Sequence, residues 1–128
     1  GCDKARRLPI FSFIVTDKHG KMVHPQLFTR MLSDLSGIQT RGGCACAGPY
    51  GHRLLGIDRT ASEQLYRELM AGHELEKPGW VRLNFTALMD DETADFIIRS
   101  VLDLLERFEE LSPRYSCDPA TALFKAVA

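Results

Sequence analysis

Pro78-Gly79-Trp80-Val81-Arg82-Leu83-Asn84-Phe85 opens with a turn dipeptide and then alternates strictly. Successive strand side chains point to opposite faces, so Val81, Leu83 and Phe85 share one face and Trp80, Arg82 and Asn84 the other. Behind this strand, Asp90 or Asp91 caps the longest helix, whose Ala94, Ile97, Ile98, Val101, Leu105 and Phe108 form a continuous apolar stripe. A half-apolar strand feeding a long amphipathic helix buries both faces only if the helix lies across the sheet. The other sheet face then carries an arginine beside a tryptophan.

Working outward, the same alternation of elements recurs. Leu8 to Thr16, rich in β-branched and aromatic residues, reads as a mostly buried strand turned at Asp17-Lys18-His19-Gly20. Pro25 opens a helix with Leu27, Phe28, Met31, Leu32 and Leu35 on one face, and Gly37 stands where a left-handed cap belongs. Ile38 to Thr40 reads as a short strand entering the loop Arg41 to Pro49. Thr60-Ala-Ser-Glu63 has the form of a capping box for a helix carrying Leu65, Tyr66, Leu69 and Met70 and closed by Gly72. Pro113 ends the long helix, and Asp118-Pro119 predicts a last short one. The expectation is a single α/β (α+β) domain over 1–128. It is a two-layer sandwich with a small, mostly antiparallel sheet and its helices on one face.

The bulk properties suit that reading. In 128 residues, 16 Lys+Arg balance 17 Asp+Glu, and 45% of the residues are hydrophobic. Near-neutral charge argues against nucleic acid or an anionic membrane as partner, since both need a concentrated basic footprint. No apolar run approaches the roughly 20 residues that span a bilayer. Gly1-Cys2-Asp3-Lys4 has neither a signal core nor an initiator Met, so the chain reads as part of a longer protein, with residues 1–5 as a linker. Four cysteines (Cys2, Cys44, Cys46, Cys117) are too few for a disulfide scaffold and read as thiols of a reducing, cytoplasmic compartment.

Chemistry concentrates in Arg41-Gly-Gly-Cys-Ala-Cys-Ala-Gly-Pro49. Glycines 42, 43 and 48 predict a backbone able to approach a ligand closely. Arg41 and Arg53 favour thiolate at Cys44 and Cys46 if they fold towards the loop. Two alternatives stand beside a reactive loop. The cysteines can be small packing residues under a turn, or Cys44, Cys46 and His52 can supply three-quarters of a zinc site, although C-x-C is not the usual knuckle spacing. His19, His24 and His73 fall in turns or at helix ends and read as solvated or capping.

The loop resembles the R-x-G-x-x-C-A-x-P loop of cysteine desulfurases and selenocysteine lyases, in the class V aminotransferase group of pyridoxal-phosphate (PLP) enzymes. The segment Gly79 to Phe85, followed by Asp90-Asp-Glu92 and a long helix, resembles the family's next landmark, and Arg7-Leu-Pro-Ile-Phe-Ser-Phe13 the first strand of its C-terminal small domain. The likeness covers about residues 6 to 110. It implies Cys46 as the sulfur acceptor and Arg82, with Arg41, as the groups that bind the amino-acid substrate's carboxylate. The helix between Thr60 and Gly72 lengthens the stretch from Cys46 to Arg82, which points to a divergent class V branch. Lys4, Lys18, Lys21, Lys77 and Lys125 all lack the preceding histidine of the family's PLP lysine. The resemblance therefore implies that PLP belongs to a large domain outside this chain. It also implies that the isolated chain holds no cofactor, is inactive, and uses its uncovered surface to form a homodimer. The alternative is a non-enzymatic module whose cysteine loop binds metal or senses redox state.

Overall fold

A computed structural model describes residues 8–44 and 48–127. Three strands, β1 (Ile10–Phe13), β2 (Arg41–Gly43) and β3 (Trp80–Asn84), form an antiparallel sheet in the order β1-β3-β2. Helices α1 (Pro25–Ser36) and α4 (Asp91–Leu111) cross one face of it, with α2 (Gly48–Leu54) and α3 (Arg59–Met70) between β2 and β3 in the chain. The result is the predicted α+β class with a small antiparallel sheet.

The core forms where the alternating strand meets the two long helices. Val81 and Leu83 are buried together with Phe28, Met31 and Leu32 of α1 and Ile97, Leu104 and Leu111 of α4. Pro25 at the start of α1 is pre-set for a helix, while the His24 ring accepts the Gln26 N–H at 3.2 Å as its cap. Gly37 ends the helix at φ 69°, where its N–H returns to the carbonyls of the last turn. Asp90 caps α4 by accepting the Thr93 N–H at 2.8 Å.

Several expectations need correction. The first strand is shorter than Leu8–Thr16 and not mostly buried, because β1 is an edge strand: Ile10, Phe11 and Ile14 are exposed. The second strand begins at Arg41 rather than covering Ile38–Thr40, since pairing with β3 sets its register. The stripe of α4 is rotated: Leu104 and Leu111 lie in the core, while Ile98 and Leu105 face outward. On α1, Leu35 is likewise exposed. Asp58, not a Thr60 box, caps α3 by accepting the Ala61 N–H at 2.8 Å, and Glu63 pairs with Arg59 instead. Helix α3 contributes no buried residue among those described, and its Tyr66 and Met70 are exposed.

The largest departure is at the end of the chain. Asp118-Pro119 starts no helix. Tyr115–Asp118 (β4) and Leu123–Ala126 (β5) form a hairpin that packs on α1. Asp118 accepts hydrogen bonds from the Ala120 N–H at 3.0 Å and the Thr121 hydroxyl at 2.9 Å. The same carboxylate chemistry that caps helices here closes a tight turn.

Candidate functional site: an arginine pair beside an apolar cleft

The outer face of the sheet follows from the register. Ile10 lies opposite Asn84 and Ser12 opposite Arg82, while Arg41 lies opposite Arg82 from the other side and Gly43 opposite Trp80. Opposed residues on neighbouring strands share a face, so Arg82 is flanked by Ser12 and Arg41 on the surface turned away from α1 and α4. Arg82 is half-buried and Arg41 exposed. Their Cα atoms are therefore roughly 4.5–5.5 Å apart. Neither guanidinium enters an ion pair or side-chain hydrogen bond with any described residue. Like charges opposed across two strands destabilise a sheet. An anion held between them would remove that repulsion and satisfy two planar donor forks at once.

The surface beside the pair is concave. Ser12 and Ile14 of the first strand segment, Trp80 of β3, and Tyr50, Leu54 and Leu55 from α2 and its end line a cleft of about 420 Å³. Helix α2 was not anticipated from the sequence. Gly48 and Pro49 fall in the loop Arg41 to Pro49, and a helix of two turns carries too little periodicity to stand out in the sequence.

Two glycines of the Arg41–Pro49 loop serve close packing. Gly42 and Gly43 lie within β2, where they line a small polar cavity and also pack closely against neighbouring chain. A Cβ on Gly42 would come within 2.6 Å of the Pro25 carbonyl oxygen, and one on Gly79 would meet the backbone of Gly43. These contacts dock the strand against the first turn of α1 and against the start of β3. The backbone leaves β2 at Gly43 with φ 108° and enters α2 at Gly48 with φ 48°.

Cys46, the assigned sulfur acceptor, lies outside the described residues. Cys44 is exposed at the end of β2 and, with His24, Glu74 and Lys77, lines a second, polar cavity of about 190 Å³. Cys117 is half-buried in β4. Burial, and then the neighbouring Asp118 carboxylate, push its thiol pKa up, and the thiol donates to the Asp118 carbonyl at 3.5 Å. His52 lies in α2, and the zinc trio with Cys44 and Cys46 is incomplete among the described residues. Burial holds the His24 ring below the ordinary histidine value of 6.5, with the Leu75 backbone and Glu76 pulling in the opposite sense.

No described lysine lines the cleft beside the arginine pair. Lys18 and Lys21 flank the turn after β1, Lys77 pairs with Glu74 at 3.6 Å, and Lys125 lies in β5. The described residues also present no helix long and apolar enough to cross a membrane. A comparison with protein-family models, with curated proteins and with solved structures found no match to this chain.

Proposed function

We propose that this chain is the carboxylate-binding small domain of a class V aminotransferase-like, PLP-dependent enzyme acting on an amino acid, in the manner of cysteine desulfurases and selenocysteine lyases. The observation that carries the reading is the Arg41–Arg82 pair, opposed on an open sheet face and without an acidic partner among the described residues. A substrate carboxylate supplies the missing anion, gripped by Arg82 and oriented by Arg41. Cys46 takes the sulfur-acceptor role that the resemblance gives it.

The residues present do not fit PLP itself. PLP is held through a lysine amine and a cradle for its phosphate, and none of the described lysines lines the cleft. On this reading the cofactor sits in a large domain, and this chain supplies substrate binding and orientation only. Ile10, Ile14 and Leu8 stand exposed on or beside the same face. The large domain covers them in the intact enzyme, and a homodimer contact covers them in the isolated chain. The reading of the cysteines as thiols places the enzyme in the cytoplasm.

The test is to express the chain with the protein-coding sequence immediately upstream of it. A histidine–lysine pair in that segment and PLP-dependent turnover of an amino acid are expected, with Arg82→Ala lowering kcat/KM by about a hundredfold, two charge-assisted hydrogen bonds' worth. An upstream sequence without a PLP-binding lysine overturns the proposal. Stoichiometric zinc and chelator-sensitive stability in the 128-residue chain would identify a metal-binding module instead.

A further inference from the structure

We infer that α4 pairs two copies of this chain, antiparallel, through the stripe Ile98, Leu102 and Leu105. The inference goes beyond the carboxylate-binding reading and does not depend on it. Helix α4 is apolar over more of its circumference than the core uses. Ile97, Leu104 and Leu111 are buried in the core. Ile98, Leu102 and Leu105 fall on the neighbouring face, four and then three residues apart, and stand 47%, 54% and 39% exposed. That spacing is the seam of a two-helix coiled coil, where apolar residues recur at alternating intervals of four and three. Asp95 and Glu109 continue the spacing at either end, so the apolar run stops after three residues and the contact is short.

Charge decides the occupant and its direction. Arg99 and Glu106, two helical turns apart, flank the stripe on the side away from the core. When a second helix runs antiparallel, with Leu102 meeting Leu105 of the second copy, Arg99 comes opposite Glu106 of that copy. The two-fold axis repeats both contacts, so an ion pair closes each end of a patch that complements itself. In a parallel pair the same charges would face Ala94 and Val101 and find no partner. Neither charge is committed elsewhere. Arg99 meets Asp95 at 3.3 Å in an exposed pair of the kind worth little, and Glu106 enters no ion pair among the described residues. Helix α4 crosses the sheet face opposite the Arg41–Arg82 pair, so this contact leaves the proposed substrate face, and whatever covers it, undisturbed.

Sedimentation equilibrium of the 128-residue protein over about 10–500 μM measures the contact, and three variants locate it. Self-association of the parent is expected. Leu102→Glu is expected to lower the weight-average mass at every concentration, with an unchanged circular dichroism spectrum because the residue lies outside the core. Arg99→Glu and Glu106→Arg each set like charges against each other, and each is expected to weaken pairing by about tenfold. An equimolar mixture of these two is expected to regain the parent's association, because an acidic helix edge then meets a basic one. A contact through the outer sheet face uses none of these residues, so it is common to every protein compared. A parent that stays monomeric throughout overturns this pairing and the outer-face dimer alike. Self-association that Leu102→Glu leaves intact overturns the α4 pairing and assigns the contact to the outer face. Loss in both charge variants without recovery on mixing overturns the antiparallel arrangement.

Discussion

At Gly42 a single hydrogen is all that fits between β2 and the first turn of α1. Gly42→Ala is therefore expected to lower stability by about 1–3 kcal/mol, the usual cost of forcing atoms into a closed contact. Urea unfolding followed by circular dichroism measures it, and a neutral result would mean that β2 can lift off Pro25. The cysteines differ in the same local sense. Cys44 is exposed, whereas Cys117 is half-buried and its thiol is held protonated by burial and by Asp118. Thiolate is the reacting form, so brief iodoacetamide treatment is expected to label Cys44 before Cys117, as peptide mapping by mass spectrometry will show. Equal rates would mean that the β4–β5 hairpin opens freely.

The first helix depends on an imidazole for its cap. The His24 Nδ1 accepts the Gln26 N–H, so the ring must be neutral with its proton on Nε2. Burial lowers its folded pKa below 6.5; Glu74, Glu76 and Lys77 are the charged groups facing it, and Phe124 packs on its ring at 5.1 Å. The sign follows: below 6.5 the unfolded chain binds the proton more readily than the folded one. Stability from His24 is thus complete above the unfolded value and declines as pH falls through it towards the lowered folded value. The urea midpoint is expected to drop between about pH 7 and pH 5 in the parent, and to drop less in His24→Asn, which caps without titrating in that range. Identical slopes for the two proteins would remove His24 from the pH response.

Across the molecule, stability rests on the layer between β3, α1 and α4. Phe28 is wholly buried there and meets Phe13 edge-on at 6.4 Å between ring centroids. Phe28→Ala is expected to cost about 3–5 kcal/mol, a large share of the roughly 5–15 kcal/mol available to a domain of this size. Thermal unfolding measures the loss, and a shift of only a degree or two would show that the core closes over the cavity. The outer sheet face contributes little to this layer and carries a pair of like charges without an acidic partner among the described residues. That division leaves the core to hold the fold and the outer face free to bind.

Two periodicities carried most of what was legible in the sequence. The alternation of Trp80 to Phe85 determined which way Arg82 faces, and the 3.6-residue spacing of Phe28, Met31 and Leu32 determined the buried side of α1. Local capping chemistry, at Gly37 and Asp90, determined where those elements begin and end. Such features are fixed by neighbours in the chain, so a reading of neighbours finds them. The hairpin at Asp118, the helix at Gly48–Leu54 and the placing of Arg41 within a strand were decided only by the tertiary structure. The hairpin depends on α1 and the placing of Arg41 on β3, partners distant in sequence. The pairing that sets Arg41 opposite Arg82 joins residues far apart in the chain. Only a folded sheet brings those two charges together, because strand register is a property of two segments and not of either one.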